Sequence, residues 1–169
     1  SRQKRSMAER DLLVRFGVER NPGPKIQVLQ VNVDGTSSET ISEVVNLVRK
    51  YNVDLVLLQE IKVSSDNART IVPDMEHVSV PRNQNGGGVA IIMGPRIMHS
   101  VVAKSTSGGD ESVTIDIFVG SDKLRVTNYY CGSRLLDESK IEAHLSHETG
   151  GAQSLLVAGD FNAHIQGIS

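Results

Sequence analysis

Apolar segments of this 169-residue sequence end repeatedly in side chains that could bind a cation or move a proton. In chain order these are Asn32, Asp34, Gln59, Glu60, Asn128, Tyr129, Tyr130, Asp160 and Asn162. A buried carboxylate without a partner is costly or becomes protonated, so carboxylates that share one rim need a compensating charge. Oxygen ligands of this kind are typical of a site for a hard divalent cation.

Each of these residues also has an ordinary structural interpretation. Asp and Asn after a strand are common turn or cap residues, and Asp34 and Asp160, each next to a glycine, fit turns. Glu60 fits a turn less well, because glutamate is a poor turn former and follows an apolar strand directly. Tyr129 and Tyr130 face opposite sides of one strand, which predicts that one of them belongs to the core.

The histidines and the glycine run give weaker indications. The five histidines are scattered without the spacing of metal ligands. His144 and His147 share a predicted helix, on which we expect a solvated face, and His164 is a loop residue that could be a ligand or general base. Gly86–Gly88 lacks the lysine pattern of a phosphate-binding loop, so we interpret it as a turn that allows close backbone approach.

Two strand–helix–strand units position the polar residues. IQVLQVNVDG alternates apolar residues and predicts a strand, SSETISEVVNLVRKYN has the apolar spacing of a helix, and DLVLLQE predicts a buried strand. Thr40, Ser37 and Ser38 are rival caps of this helix. The same order of strand, helix and strand is predicted a second time, for KLRVTNYY, DESKIEAHLSHE and QSLLVAGDFN. Crossover units are right-handed and make their strands parallel, so we expect the polar tips at one edge.

The middle of the chain predicts further strands. A short apolar strand is predicted in each of three segments, HVSV, NQNGGGVAIIM and IMHSVVAK. A turn at Gly120-Ser121-Asp122 predicts a hairpin between SVTIDIFV and KLRVTNYY. The predicted class is α/β or α+β, with a mixed sheet and helices outside it.

Composition excludes several classes of protein. At 18.3 kDa, with 38% hydrophobic and 22% charged residues, the chain can form one domain with a core and is not broadly disordered. No apolar run approaches the roughly 20 residues that cross a bilayer, and the N-terminus lacks the apolar middle of a secretory signal. The single cysteine, Cys131, excludes an internal disulfide framework and fits an intracellular setting.

Charge divides the chain into a leader and a body. Residues 1–25 contain seven basic and three acidic residues, and the remainder contains eleven basic and seventeen acidic ones. An acidic body does not indicate nucleic-acid binding by its field alone, but it is compatible with carboxylates that hold a cation. Asn21-Pro22-Gly23-Pro24 stops regular structure, so residues 1–24 are predicted to be a separate leader, disordered or helical.

Four motifs in order, QVNVDG, LLQE, VTNYY and AGDFNAH, resemble the endonuclease/exonuclease/phosphatase superfamily from Ile26 to about Gln166. The sequence also resembles the apurinic-like endonuclease domain of non-LTR (LINE-type) retrotransposons, through the combination of LQVNVDG, GGGVAI and GDFNAH. VERNPGP resembles a 2A-like ribosome-skipping peptide of the kind found in ingi-type elements, which implies separation between Gly23 and Pro24. Gly17 stands where such peptides carry Asp.

The resemblance implies a four-layer α/β sandwich of the exonuclease III/DNase I type that hydrolyses phosphodiesters with Mg²⁺, or with Mn²⁺. It also implies a role for each matching residue. Glu60 would be the principal metal ligand with Asn32 as its companion, and Asp34 would be a nearby acid. Tyr129 would contact the scissile phosphate, Asp160 would orient or deprotonate water, and Asn162 would steady that water.

The implied function is a DNA-nicking endonuclease whose 3′-hydroxyl product primes reverse transcription, with abasic-site cleavage as an additional activity. The resemblance implies DNA as partner, a reverse transcriptase in the same polyprotein, a monomer, no membrane, and action in the nucleus. A Ser-Asp-His segment would follow the Asp160 strand in such enzymes, so residues 25–169 are expected to be the N-terminal portion of a truncated domain. The alternatives are a catalytically inactive fragment and a phosphatase of the same superfamily.

Overall fold

The computed structural model describes residues 25–63, 72–82, 86–132, 138–145 and 154–162. Outside these ranges lie the predicted leader with its Gly23–Pro24 separation point, and the two histidines His147 and His164. The described elements are β1 (Val28–Asn32), α1 (Ser38–Tyr51), β2 (Leu55–Gln59), β3 (Glu76–Val80), β4 (Val89–Met93), β5 (His99–Ser107), β6 (Asp110–Val119), β7 (Asp122–Tyr130), α2 (Glu138–Leu145) and β8 (Ser154–Asp160). No helix within the described ranges is long and apolar enough to cross a membrane.

The strands form two four-stranded sheets, in the orders β1-β2-β4-β3 and β5-β6-β7-β8. The two predicted crossovers are confirmed, because β1 pairs in parallel with β2, and β7 pairs in parallel with β8. The predicted hairpin of β6 and β7 is also confirmed. Both sheets are mixed, as expected, each with one parallel and two antiparallel pairs, and each crossover unit belongs to a sheet of its own. All five residues of β2 and all five of β4 are buried, so both faces of the first sheet must be covered at these strands. The second sheet covers one of these two faces.

Two apolar clusters define the layers. The first lies between the sheets and includes Leu57, Ile91 and Ile115. The second includes Val44 of α1, which is 2% exposed, and packs that helix against the outer face of the first sheet. Helix α2 lies against the outer face of the second sheet, as the contacts of His144 show below. The order helix, sheet, sheet, helix is the four-layer α/β sandwich that the resemblance implied.

Helix α1 begins and ends at residues whose chemistry explains its length. Of the three possible caps, Ser37 is the one used, since its side chain accepts a hydrogen bond from the backbone N–H of Thr40 at 3.2 Å. The helix ends at Tyr51 and is capped by Asn52, whose φ of +49° lies in the left-handed region, where Asn is tolerated. The chain then returns directly into β2, which places the end of β2 beside the end of β1.

His144 joins α2 to the second sheet. Its Nδ1 lies 2.7 Å from the Ser112 hydroxyl, and its ring meets the ring of Tyr129 edge-on with centroids 5.3 Å apart. The side chain is 2% exposed, so the solvated face expected for this helix is wrong at His144. Burial lowers the pKa of His144, although the nearby Asp110 acts in the opposite direction.

Gly159 allows β8 to approach β7. Its φ is +157°, and a Cβ atom at this position would lie 1.8 Å from the carbonyl oxygen of Tyr129, which is its partner in the parallel ladder. Because the clash is with backbone, no rotamer change relieves it. Only glycine therefore lets the last strand carry Asp160 to the rim in this register.

We expect His144 to make the protein less stable in acid. Folding favours the neutral ring, so the free energy of unfolding falls as the pH drops below the ordinary histidine pKa of 6.5 toward the lowered folded-state value. Denaturant titrations across this window should show a shallower pH dependence for His144→Gln than for the wild type. The same replacement at half-buried His77 is the control, and an unchanged slope in His144→Gln would contradict the prediction.

Gly159→Ala should lower the free energy of unfolding by about 2 kcal/mol or more, because the new methyl group overlaps the Tyr129 carbonyl. Gly86→Ala is the matched control, since Gly86 has a φ of +158° but nothing within 4 Å of the added carbon. Equal losses of stability in the two variants, measured by denaturant unfolding, would show that backbone conformation and not the clash determines the cost.

Candidate active site at the strand ends

Three strand ends meet at one rim of the sandwich. The side-chain amide Nδ2 of Asn32 donates to Glu60 Oε1 and to Asp160 Oδ2, each at 2.9 Å. Asn32 ends β1 and Glu60 follows β2, its parallel neighbour in the first sheet, and Asp160 ends β8 in the second. The structure thus brings together three of the residues that the sequence singles out, and it does so across the two sheets.

The turns at these ends have the same design in both sheets. Asn32 Oδ1 accepts a hydrogen bond from the backbone N–H of Asp34 at 3.1 Å, and Asp160 Oδ1 accepts one from the N–H of Asn162 at 3.1 Å. Such side-chain turns tolerate positive φ at the following residues, and φ is +47° at Asp34 and +44° at Asn162. Asn32 and Asp160 are therefore both turn residues and site residues. In each side chain one atom forms the turn and a different atom takes part in the bonds of the cluster.

Glu60 is held in an unusual backbone conformation. Its φ is +54°, which a residue with a long side chain adopts only where the surroundings impose it. Its carbonyl accepts from the N–H of Gly35 at 2.7 Å, which ties it to the turn after β1. Its carboxylate accepts from both Asn32 and the Tyr130 hydroxyl on the same oxygen, Oε1, so neither bond occupies Oε2.

The tyrosine at this rim is Tyr130 and not Tyr129. The Tyr130 hydroxyl donates to Glu60 at 3.1 Å, whereas Tyr129 is 1% exposed on the opposite face of β7, where its hydroxyl donates to Asp110 Oδ2 at 2.8 Å. The position implied for Tyr129 is thus corrected, because alternate residues of a strand face opposite sides. Burial, followed by the bond to Glu60, raises the pKa of Tyr130 to about 12.

Asn162 and Asp34 lie beside the cluster without joining its central bonds. Asn162 Nδ2 donates to the carbonyl of Cys131 at 2.6 Å and so fixes the end of β8 to the end of β7. Asp34 forms an ion pair with Lys62, two residues after Glu60, and this bond raises the pKa of the lysine. Sequence reasoning did not select Lys62, although a cation two residues after an expected metal ligand is a usable indication.

The donor set suits a hard cation. Glu60 and Asp160 supply carboxylate oxygens at neighbouring positions, and only the amide N–H₂ group of Asn32 lies between them in the bonds described above. Across the described ranges no three His, Cys, Asp or Glu side chains converge. Mg²⁺ is bound in this way, through one or two carboxylates with water and substrate oxygens completing its shell.

Two facing sheets with a helix outside each, and carboxylate oxygens at one rim, define an α/β sandwich of the DNase I/exonuclease III class. The model of the Endonuclease/Exonuclease/phosphatase family matches residues 29–167, and the chain belongs to this family. Members of the family are hydrolases that include nucleases and phosphodiesterases, and its nucleases generally use divalent metal ions. No curated protein matches the sequence.

Solved structures share the fold at low sequence identity. The endonuclease domain of TRAS1, a telomere-specific non-LTR retrotransposon, matches with a TM-score of 0.63 and 16% identity over 83% of this chain and 62% of its own. D. rerio TDP2 complexed with single-strand DNA product matches with a TM-score of 0.61 and 14% identity over 83% of this chain and 62% of its own. The human Nocturnin catalytic domain with bound sulfate matches with a TM-score of 0.60 and 18% identity over 83% of this chain and 65% of its own. The chain spans less than two thirds of these structures, which at such identities establish the fold alone.

Replacing each tyrosine by phenylalanine should separate a site role from a core role. Tyr130→Phe removes the donor to Glu60, so we expect weaker Mn²⁺ binding with little change in stability. Tyr129→Phe leaves the buried Asp110 carboxylate without one of its donors, so we expect a loss of about 1–2 kcal/mol in the free energy of unfolding and unchanged Mn²⁺ binding. The reverse pattern, in calorimetry and denaturant unfolding, would restore Tyr129 as the site residue.

Proposed function

We propose that this chain carries the active site of a Mg²⁺-dependent DNA endonuclease that hydrolyses phosphodiester bonds. The observation that supports it most is the meeting of Glu60 and Asp160 at the amide of Asn32, because it gathers oxygen ligands from two sheets at the carboxyl ends of parallel strands. Membership of a family of nucleases and phosphodiesterases supports the same reaction class.

The residues at the rim suggest a division of labour. Glu60 would hold the cation, which when bound polarises a phosphoryl oxygen and offsets the charge that develops during displacement. Asn32 would act as its companion by orienting that carboxylate, because its Nδ2 donates to Glu60 while its Oδ1 accepts from Asp34. Asp160 lies next to Glu60 and would accept the proton of the attacking water. Tyr130 donates to Glu60 and would hold that carboxylate toward the cation, while Lys62, paired with Asp34, would position the turn after β1 beside it.

The finer assignment is an endonuclease of a non-LTR retrotransposon, supported by the sequence motifs and by the shared fold with the TRAS1 domain. In this proposal the nick provides a 3′-hydroxyl that primes a reverse transcriptase of the same polyprotein, in the nucleus, with abasic-site cleavage as an additional activity. The TDP2 neighbour in complex with a DNA product supports DNA as the substrate class. The leader would be an ingi-type 2A-like peptide separating between Gly23 and Pro24.

The full chain should nick supercoiled plasmid when Mg²⁺ is present and not when it is chelated. Asp160→Asn removes the proton acceptor and should slow nicking by about 10²–10⁴-fold, and Glu60→Gln should abolish it through loss of the cation. Asp122→Asn, at the opposite end of β7, is the control acid and should nick at the wild-type rate.

Binding of Mn²⁺, followed by electron paramagnetic resonance with Mg²⁺ as competitor, is measured on the same variants. Loss of binding in Glu60→Gln but not in Asp122→Asn would support the cation site independently of turnover. Cation binding without nicking would favour the inactive-fragment alternative, and a wild-type chain that neither binds nor nicks would refute the proposal.

A further inference from the structure

A second acid, Glu111, is buried beside this rim without an evident reason. Its side chain is 2% exposed, and Oε2 has no hydrogen-bond partner in the described part of the chain. Oε1 lies 3.3 Å from the guanidinium of Arg82, which approaches from the end of β3. A half-partnered buried carboxyl is costly, so its retention calls for a function in the structure around it.

The backbone connects Glu111 to the segment that follows Glu60. The N–H of Gly88 donates to the Glu111 carboxyl. The carbonyl of Gly88 in turn accepts from the N–H of Ile61 at 3.3 Å, and the carbonyl of Gly87 accepts from that of Lys62 at 3.1 Å. The two residues directly after Glu60 are therefore paired to a glycine turn that Glu111 holds from the other side.

Packing around this turn is tight at Gly87 and Gly88, whereas Gly86 faces open space. A Cβ atom on Gly87 would lie 2.5 Å from Arg82 Cδ and 3.1 Å from Glu111 Oε1, and one on Gly88 would lie 2.8 Å from Ile61 Cγ1. Both glycines have positive φ, at +73° and +86°. Arg82 also donates to the carbonyl of Gly109 at 3.2 Å, so the turn is enclosed between β3, the β5–β6 turn and the Glu60 segment.

A second connection runs through Tyr130. Glu111 and Tyr130 are directly opposite each other in the antiparallel pair of β6 and β7, where side chains on the same face are in reach of one another. The Tyr130 hydroxyl donates to Glu60 Oε1. Glu111 is thus connected to Glu60 in two ways, through the backbone of the glycine turn and through the side chain of Tyr130.

We infer that Glu111, paired with Arg82, is a positioning residue that fixes the Gly86–Gly88 turn and through it the orientation of Glu60. A positive φ at Glu60 persists only where the surroundings over-determine it, and these bonds supply that constraint. Residues that hold metal ligands in place typically change metal affinity by about 10–100-fold when removed. The consequence for a cation rests on the proposed function, whereas the consequence for the Glu60 segment does not.

Amide hydrogen exchange tests the positioning without any metal. In Glu111→Ala, the N–H groups of Ile61 and Lys62 should exchange about tenfold faster, because the turn that accepts their bonds is released. Glu111→Gln should largely restore slow exchange, since its amide oxygen can accept from Gly88. Asp116→Ala is the matched control: Asp116 is a buried acid on the same strand, bonded to Arg125 at 2.7 and 2.9 Å, but far from Glu60.

Mn²⁺ affinity is then measured on the same variants. Glu111→Ala should bind about 10–100-fold more weakly, Glu111→Gln should remain close to wild type, and Asp116→Ala should lose thermal stability but not affinity. Should Glu111→Ala not fold, Arg82→Gln replaces it, with faster exchange expected at the same two amides.

Unchanged exchange at Ile61 and Lys62, or an equal effect from Asp116→Ala, would overturn the inference. A wild-type chain that binds no Mn²⁺ but shows the expected exchange pattern would refute the proposed function while leaving the positioning of the Glu60 segment supported.

Discussion

At the polar rim that joins the two sheets, one side-chain amide lies between two carboxylates. Asn32 Nδ2 is 2.9 Å from an oxygen of Glu60 and 2.9 Å from an oxygen of Asp160. Carboxylates that share a neighbour in this way repel one another, and a neutral N–H₂ group compensates only part of that repulsion. The arrangement persists because each acid is held by backbone geometry: Asp160 by its own turn with Asn162, and Glu60 by the turns at Gly35 and Gly88.

That geometry follows from parallel pairing in both sheets. β1 and β2 run in the same direction with Asn32 opposite Gln59, and β7 and β8 do so with Tyr130 opposite Asp160. In each parallel pair, both strands end in polar residues at the same edge of their sheet. Because the two sheets pack face to face, these two edges lie together at one rim of the sandwich. Gly159 is part of this requirement, because any larger residue would push β8, and with it Asp160, away from β7.

Local sequence pattern was enough for the elements and the crossovers, since alternation, helical spacing and turn residues act over short distances. It was not enough for features that depend on which faces meet. Tyr129 and Tyr130 were known to face opposite sides, but only the docking of the second sheet on the first decides that Tyr130 faces Glu60. His144 became buried for the same reason, because α2 lies over Ser112. Glu111 gave no local indication at all, since its partners come from three distant segments.

The charges around the rim bear on how a phosphate could be accepted there. Lys62 is paired with Asp34, and Arg82 with Glu111, so each of these two cations already has an acid beside it. Glu60 and Asp160 share only neutral donors in the bonds described, which leaves the field at the cluster negative. A phosphate approaching this rim would be repelled unless a divalent cation arrived first or with it. On the proposed function, therefore, the acidic body of the protein is not an obstacle to DNA binding but the reason that binding would depend on the metal.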